Sequence, residues 1–302
     1  MTITLDWLGT ATFRLTIDDL VVFLDAYIDR SPAAPPVGLT AAEVDRADFI
    51  LVGHSHFDHL AGAEVIARNT GATIIASNES CRVMRECGVP AREQLRPSQG
   101  GERHRLADGV TVRVFPSLHA CLWAGAPGGV GEEHTGGLGL CEDERRALLT
   151  DRNPVAAATR QGSERAPQFL EHVRGLAGST RDGGPLAYLI ETPQGSIFYQ
   201  DTSGCWSGVL RDVRADVAIL ALSGRPNLDG EPFQGFLAQF VAREAAWLQP
   251  STVVFSHHDN WTGMADERAI DTAPARDELA RVLPSATLLE PWYVEGTELL
   301  AG

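Results

Sequence analysis

The sequence predicts an α/β protein of layered strands and helices. Three features carry that reading: short apolar runs of strand length, a β-loop-α-β-α order early in the chain, and repeated apolar strands that end at histidine or aspartate. The chain has 302 residues, 44% hydrophobic, with 30 Gly and 17 Pro, the composition of a globular protein and not of a fibrous or disordered one. Such a length fits two domains or one large one.

The elements follow in order. Ile3 to Leu8, Thr12 to Ile17 and Leu20 to Leu24 read as a strand meander, with Asp18-Asp19 as a tight connection. A Pro- and Ala-rich loop, Ser31 to Leu39, leads to the apolar strand Phe49 to Val52, which delivers Gly53-His54-Ser55-His56-Phe57-Asp58-His59. A helix is expected from His59 or Leu60 to about Asn69, then a strand at Thr73 to Ala76 and a helix from about Glu79 to Glu86. Strand Val110 to Pro116 is followed by His119. Residues 122–185 differ in composition, with a Gly-rich piece from Ala124 to Gly139, a charged piece from Glu142 to Arg146 and a helix near Pro167 to Leu176; they read as an insertion or lid. Strands Leu186 to Glu191 and Ser196 to Gln200 form a hairpin that ends at Asp201. Val217 to Leu220 is a strand, Gln234 to Gln249 a helix, and Thr252 to Phe255 a strand ending at His257-His258-Asp259-Asn260. A helix at about Ala273 to Val282 and a strand at Thr287 to Leu289 complete the pattern.

Of nine histidines, His54, His56 and His59 fall within six residues, with Asp58 among them. Imidazole nitrogen and carboxylate oxygen suit zinc, and a loop after a buried strand can turn several such groups inward. Partly desolvated imidazoles beside a carboxylate are costly unless a ligand satisfies them. His119, Asp201 and His257 repeat the pattern of an apolar strand followed by a donor, which makes seven candidate ligands.

His54-x-His56-x-Asp58-His59-x-x-Gly62 resembles the signature of the metallo-β-lactamase-fold hydrolases. The opening Trp7-Leu8-Gly9-Thr10-Ala11-Thr12-Phe13 resembles the branch that holds the ascorbate-phosphate lactonase and the phospholipase D acting on N-acylethanolamine phospholipids. The resemblance implies a four-layer αββα sandwich, two mixed sheets flanked by helices, with metals at one edge. It also implies two divalent ions, zinc first and manganese or iron as alternatives: His54, His56, His119 and Asp201 at one, Asp58, His59, Asp201 and His257 at the other. The implied activity is hydrolysis of a small ester, lactone or phosphoester by a hydroxide bridging the two ions. The alternatives are a diiron oxidoreductase of the same fold and an inactive, metal-stabilised binding protein.

Because the donors from His54 to His257 must converge, a single domain, 1–302, is expected. Asp58 is a ligand and proton acceptor in this reading. Candidate acids are His258, Asp259 and His134, the last in a flexible Gly-rich stretch. Trp123, Trp206 and Trp261 are candidate walls of an apolar substrate pocket. Cys121 and Cys205 read as buried small hydrophobes. The Walker spacing and GxGxxG after a strand are both missing.

With 25 Lys and Arg against 40 Asp and Glu the formal charge is −15, which argues against nucleic acid or an anionic membrane surface as partner. Five widely spaced cysteines without a CxxC pair argue for a reducing compartment. With no basic and apolar leader and no apolar run long enough to span a bilayer, the expectation is a soluble, cytoplasmic enzyme of small molecules, with room for a homo-oligomer.

Overall fold

The computed structural model describes residues 2–121, 141, 143–144, 165–233, 235–263 and 270–300. Two seven-stranded sheets face each other. The first starts as the expected meander of β1 (Ile3–Trp7), β2 (Phe13–Ile17) and β3 (Leu20–Leu24). It continues in parallel through β4 (Phe49–Leu51), β5 (Thr73–Ser77) and β6 (Leu95–Ser98). The second contains β7 (Arg103–Ala107), β8 (Val110–Pro116), β9 (Leu186–Thr192) and β10 (Gly195–Gln200), all antiparallel neighbours. A small ribbon is made by β11 (Gly204–Cys205), β13 (Asn227–Leu228) and β14 (Glu231–Pro232). Beyond β10 the second sheet is parallel: β12 (Val217–Ala221), β15 (Thr252–Ser256) and β16 (Thr287–Leu289). The last strand, β17 (Thr297–Leu300), returns to the first sheet and pairs antiparallel with β1.

The layers follow from which faces are apolar. Leu5, Phe13, Leu15, Val22 and Leu51 meet Val112, Tyr188, Ile190, Ile197 and Ile219 between the sheets. On the outer face of the first sheet, α2 (Ala63–Thr70) and α3 (Asn78–Glu86) bury Ile66, Ala67, Val83 and Met84 against Phe23, Ile50 and Ile74. On the outer face of the second, α7 (Leu237–Leu248) and α8 (Ala273–Val282) bury Phe240, Val241 and Leu279 against Phe198, Leu220 and Val253. Strands covered on both sides have no polar face to show, which is why β3 reads LVVFL and β12 reads VAILA. The result is the expected αββα sandwich.

The other α-helices are α1 (Phe57–Leu60), α4 (Ala91–Gln94), α5 (Arg165–Arg174) and α6 (Ser207–Leu210). The single helix expected from residue 59 or 60 is in fact two, α1 and α2, broken at Gly62. Gly62 has φ 95°, and a Cβ there would stand 2.4 Å from the carbonyl oxygen of Ala26. Only glycine permits both the left-handed turn and that approach. The expected helix from residue 234 begins at Leu237.

Strands β6, β7 and β17 were not anticipated from the sequence, and all three lie at sheet edges. Edge strands show one side to water, so charge and proline replace the apolar alternation, as in Leu95-Arg-Pro-Ser and Arg103-His-Arg-Leu-Ala. Within the expected lid, residues 122–140, 142 and 145–164 lie outside the described residues, and with them His134 and Trp123. The helix expected near 167–176 is α5. The segment after it is tied to the histidine loop: the Ser179 N–H donates to the Ser55 carbonyl and the Ser55 N–H to the Asp182 carbonyl, 2.8 and 2.9 Å.

Candidate metal centre

Strand direction gathers the donors. Strands β8, β10 and β15 point the same way, as follows from the antiparallel pairs β8–β9 and β9–β10 and the parallel run from β10 to β15. Their carboxyl ends present His119, Asp201 and His257 at one rim, where the end of β4 and the start of α1 present His54, His56, Asp58 and His59.

Three groups of donor atoms result, each within 4.8 Å: His54, His56 and His119; His54, His59 and Asp201; Asp58, His59 and His257. All seven expected ligands are therefore brought together, with Asp201 in the central group that the outer two share through His54 and His59. His54 Nδ1 lies 2.6 Å from Asp201 Oδ2 and His54 Nε2 lies 3.1 Å from His56 Nδ1. Asp58 Oδ2 is 3.5 Å from both His59 Nε2 and His257 Nε2. A Cβ on Gly53 would fall 2.0 Å from Asp201 Oδ2, so the residue before His54 must be glycine for the two sheets to close here.

The electrostatics divide the imidazoles. Burial pushes His54 and His56 well below the usual histidine range, helped by the neighbouring rings, and burial also lowers His119. Nδ1 of His119 faces the Ala120 carbonyl at 2.8 Å, which leaves Nε2 as its free lone pair. At His59 burial opposes charge, but Asp58, Asp25 and Asp201 outweigh it and hold the ring protonated well above the usual range. Asp58 is conversely held low by His59 and His257 despite burial. Burial raises Asp201.

The donor set fits two divalent cations. It offers five imidazoles and two carboxylates, most of them buried, and Asp201 Oδ1 is buried with no hydrogen-bond partner in the protein. An orphan carboxylate oxygen among converging nitrogen lone pairs is the arrangement a cation satisfies.

Sequence reasoning passed over Asp25. It follows the apolar run of β3 directly, the same signal that singled out His119, Asp201 and His257. Asp25 Oδ2 lies 2.6 Å from His59 Nδ1 and 2.7 Å from the Tyr199 hydroxyl, and Oδ1 accepts from the Gly53 N–H at 2.8 Å. Burial pushes the Asp25 pKa up to about 6, opposed by His59. A carboxylate on Nδ1 fixes the ring and directs Nε2 toward Asp58, where it would face an ion held by that group.

The remaining candidates fall in different places. Trp261 stands 5.6 Å from the His257 ring and 6.0 to 6.2 Å from the rings of Phe57, Tyr27 and Phe169, with which it forms an aromatic cluster. Helix α5 supplies Phe169 and also His172, whose Nε2 is 3.2 Å from the Tyr27 hydroxyl. Trp206 precedes α6, is 39% exposed, and lies beside Gly230. His258 stacks on Trp7, centroids 4.8 Å apart, outside all three donor groups. Asp259 is engaged by Arg30, Tyr293 and the Thr10 N–H. Cys121 and Cys205 are buried, as expected.

Comparison with known proteins agrees with this geometry. Residues 21–170 match the family described as beta-lactamase superfamily domain. A UPF0173 metal-dependent hydrolase of Pyrobaculum arsenaticum is 36% identical over 125 residues, 41% of this chain and 53% of that protein. The chain thus spans about half the length of the curated relatives it matches. Among solved structures, Igni18, a metallo hydrolase from the archaeon Ignicoccus hospitalis, superposes with TM-score 0.61 at 16% identity, covering 100% of this chain and 99% of that one. CmlA, a diiron β-hydroxylase from Streptomyces venezuelae, gives TM-score 0.55 at 13% identity, covering 99% of this chain and 54% of that one. These likenesses are of fold. The chain has the metallo-β-lactamase superfamily fold, and at its rim it carries a candidate dinuclear metal centre.

Proposed function

We propose that this protein is a metal-dependent hydrolase of a small ester, lactone or phosphoester. The observation that carries the reading is the set of three donor groups that share His54 and His59 around buried Asp201. His54, His56 and His119 would hold one ion, Asp58, His59 and His257 the other, with Asp201 between them. Bound there, divalent ions supply an activated water and a Lewis acid for a carbonyl or phosphoryl oxygen. Zinc is the preferred metal for imidazole and carboxylate donors, with manganese and iron as alternatives.

The protein's own groups do the rest. Neutral His54 and His56 offer lone pairs without first losing a proton. Asp25 orients His59 through Nδ1. Asp58, within 3.5 Å of two imidazoles, acts as a ligand before it acts as a base. Trp261 and Phe57, only partly buried beside His257, form an apolar wall that excludes water and takes the carbon part of the substrate. The lactonase-like opening, residues 7–13, favours a cyclic ester or a phosphate-containing metabolite. Among the described residues no helix is long and apolar enough to cross a membrane. None of the five cysteines is in a disulfide, in keeping with a reducing compartment.

Metal analysis and a substrate panel test the proposal together. Protein prepared without chelators should carry close to two transition-metal ions per chain; less than about one overturns the centre. A panel of lactones, phosphodiesters, thioesters and β-lactams with added zinc or manganese should find an activity that Asp58→Ala lowers by about 100-fold or more while the fold persists. Unchanged turnover in Asp58→Ala would remove Asp58 from the site.

A further inference from the structure

Hydrogen-bonded to the backbone of His257 through Thr10 is a buried polar cluster that metal binding does not itself require. The side chains of Arg30 and Asp259 are 3% and 7% exposed and form an ion pair. Asp259 also accepts the Tyr293 hydroxyl at 2.7 Å and the Thr10 N–H at 3.1 and 3.2 Å through its two oxygens. The carbonyl of the same Thr10 accepts the backbone N–H of His257 at 2.7 Å and the Trp7 indole N–H at 3.1 Å. Thr10 therefore links the ion pair on one side to His257 on the other.

Both linked residues sit in unfavourable backbone. Thr10 has φ 52° and His257 φ 59°, the left-handed region, and neither is glycine. Such a conformation persists only where its surroundings hold it. Those surroundings come from separate stretches of chain. The Arg30 guanidinium fills the place of a Cβ on Gly9, 2.8 Å away, and lies 5.0 Å over the Tyr293 ring. A buried ion pair is weak evidence for stability, since apolar replacements often do as well. An apolar pair could not, however, hold the Thr10 N–H and so could not fix the residue whose carbonyl holds His257.

We propose that Arg30 and Asp259 are positioning residues that latch Thr10 and, through its carbonyl, His257. They set the affinity of the Asp58–His59–His257 end for its ion and leave the His54–His56–His119 end alone. This rests on the metal-centre reading above. It also gives the carboxylate of Asp259 a structural role in place of that of a proton donor, because both its oxygens are already engaged.

The test is a cobalt(II) titration of metal-free full-length protein, followed by visible absorption, with bound metal counted by mass spectrometry and folding checked by thermal melting. The variants are Asp259→Asn, Arg30→Gln, Tyr293→Phe, His257→Ala and the double variant Asp259→Asn/His257→Ala. Wild type should take up two ions. Asp259→Asn and Arg30→Gln should hold one ion within about twofold of wild type and bind the other at least about tenfold more weakly. In the His257→Ala background, Asp259→Asn should add less than about twofold, because the latch acts through that histidine. Equal weakening of both ions, wild-type affinity at both, or additive losses in the double variant would each overturn the latch. If Asp259→Asn does not fold, Tyr293→Phe decides: it removes one hydrogen bond to Asp259, and unchanged affinity at the weaker site overturns the proposal. A wild-type protein that binds neither ion overturns the metal reading, and the latch with it.

Discussion

Asp25 Oδ2 stands 2.6 Å from Nδ1 of His59; Asp25 follows β3 directly, and His59 lies on α1, after the neighbouring parallel strand β4. Carboxylate and imidazole thus lie in series, with His59 Nε2 facing Asp58 and the Tyr199 hydroxyl and the Gly53 N–H holding the Asp25 carboxylate in turn.

Replacing Asp25 by asparagine keeps the shape and removes the charge. Metal affinity at the His59 end should fall about 10- to 100-fold, the usual cost of losing such a partner. Competition against a chromogenic chelator measures it. An unchanged constant would show that the contact only packs the loop.

The pair also sets how loading depends on pH. His59 is held protonated well above the usual histidine range in the metal-free chain, whereas His54 and His56 are held neutral. A ligating His59 must give up its proton, so binding should release close to one proton near neutral pH and weaken as pH falls. Calorimetry in buffers of different ionisation enthalpy counts the protons. Asp25→Asn, by removing a charge that holds the proton, should reduce the number; equal release in both proteins would contradict the assignment.

Gly53 makes a steric prediction. In Gly53→Ala the new methyl would overlap the Asp201 carboxylate at 2.0 Å, and the atoms behind it belong to the other sheet. Overpacking of this kind costs about 1–3 kcal/mol. Thermal melting should show that loss, together with weakened metal binding. A variant with wild-type stability and stoichiometry would mean that the strand ends shift freely.

Glu244 on α7 gives a prediction away from the metals. It is 1% exposed, and burial pushes its pKa up from 4.5 to about 8 against hydrogen bonds from Cys205 and Gln200. A group raised on folding contributes stability that is complete below its unfolded value and lost as pH rises through the folded one. Stability should therefore decline between about pH 4.5 and 8, by a few kcal/mol. Glu244→Gln cannot ionise, so its melting temperature should decline less over that range and exceed wild type at the alkaline end. Parallel profiles for the two proteins would refute this.

What could be read in the sequence was whatever the chemistry forces into short spacing or strong periodicity. His54, His56, Asp58 and His59 stand out because one loop supplies several donors, and His119, Asp201 and His257 because each ends an apolar strand. Asp25 carries the same mark but stands alone, so only its contact with His59 reveals it. The Arg30–Asp259 latch was hidden for another reason: its members are scattered over 10, 30, 259 and 293, and only the folded chain brings them together. The edge strands β6, β7 and β17 escaped because a half-solvated strand carries little apolar signal.

The pairing of β17 with β1 has a consequence for biosynthesis. Ile3 lies opposite Leu300, so the outermost ladder of the first sheet joins residues made far apart in translation. Until residues 297–300 leave the ribosome, β1 presents bare N–H and C=O groups, an edge open to foreign strands. A nascent chain stalled before that point therefore has its metal-binding loop already synthesised and one flank still adhesive. Shielding by a chaperone would matter most in that interval.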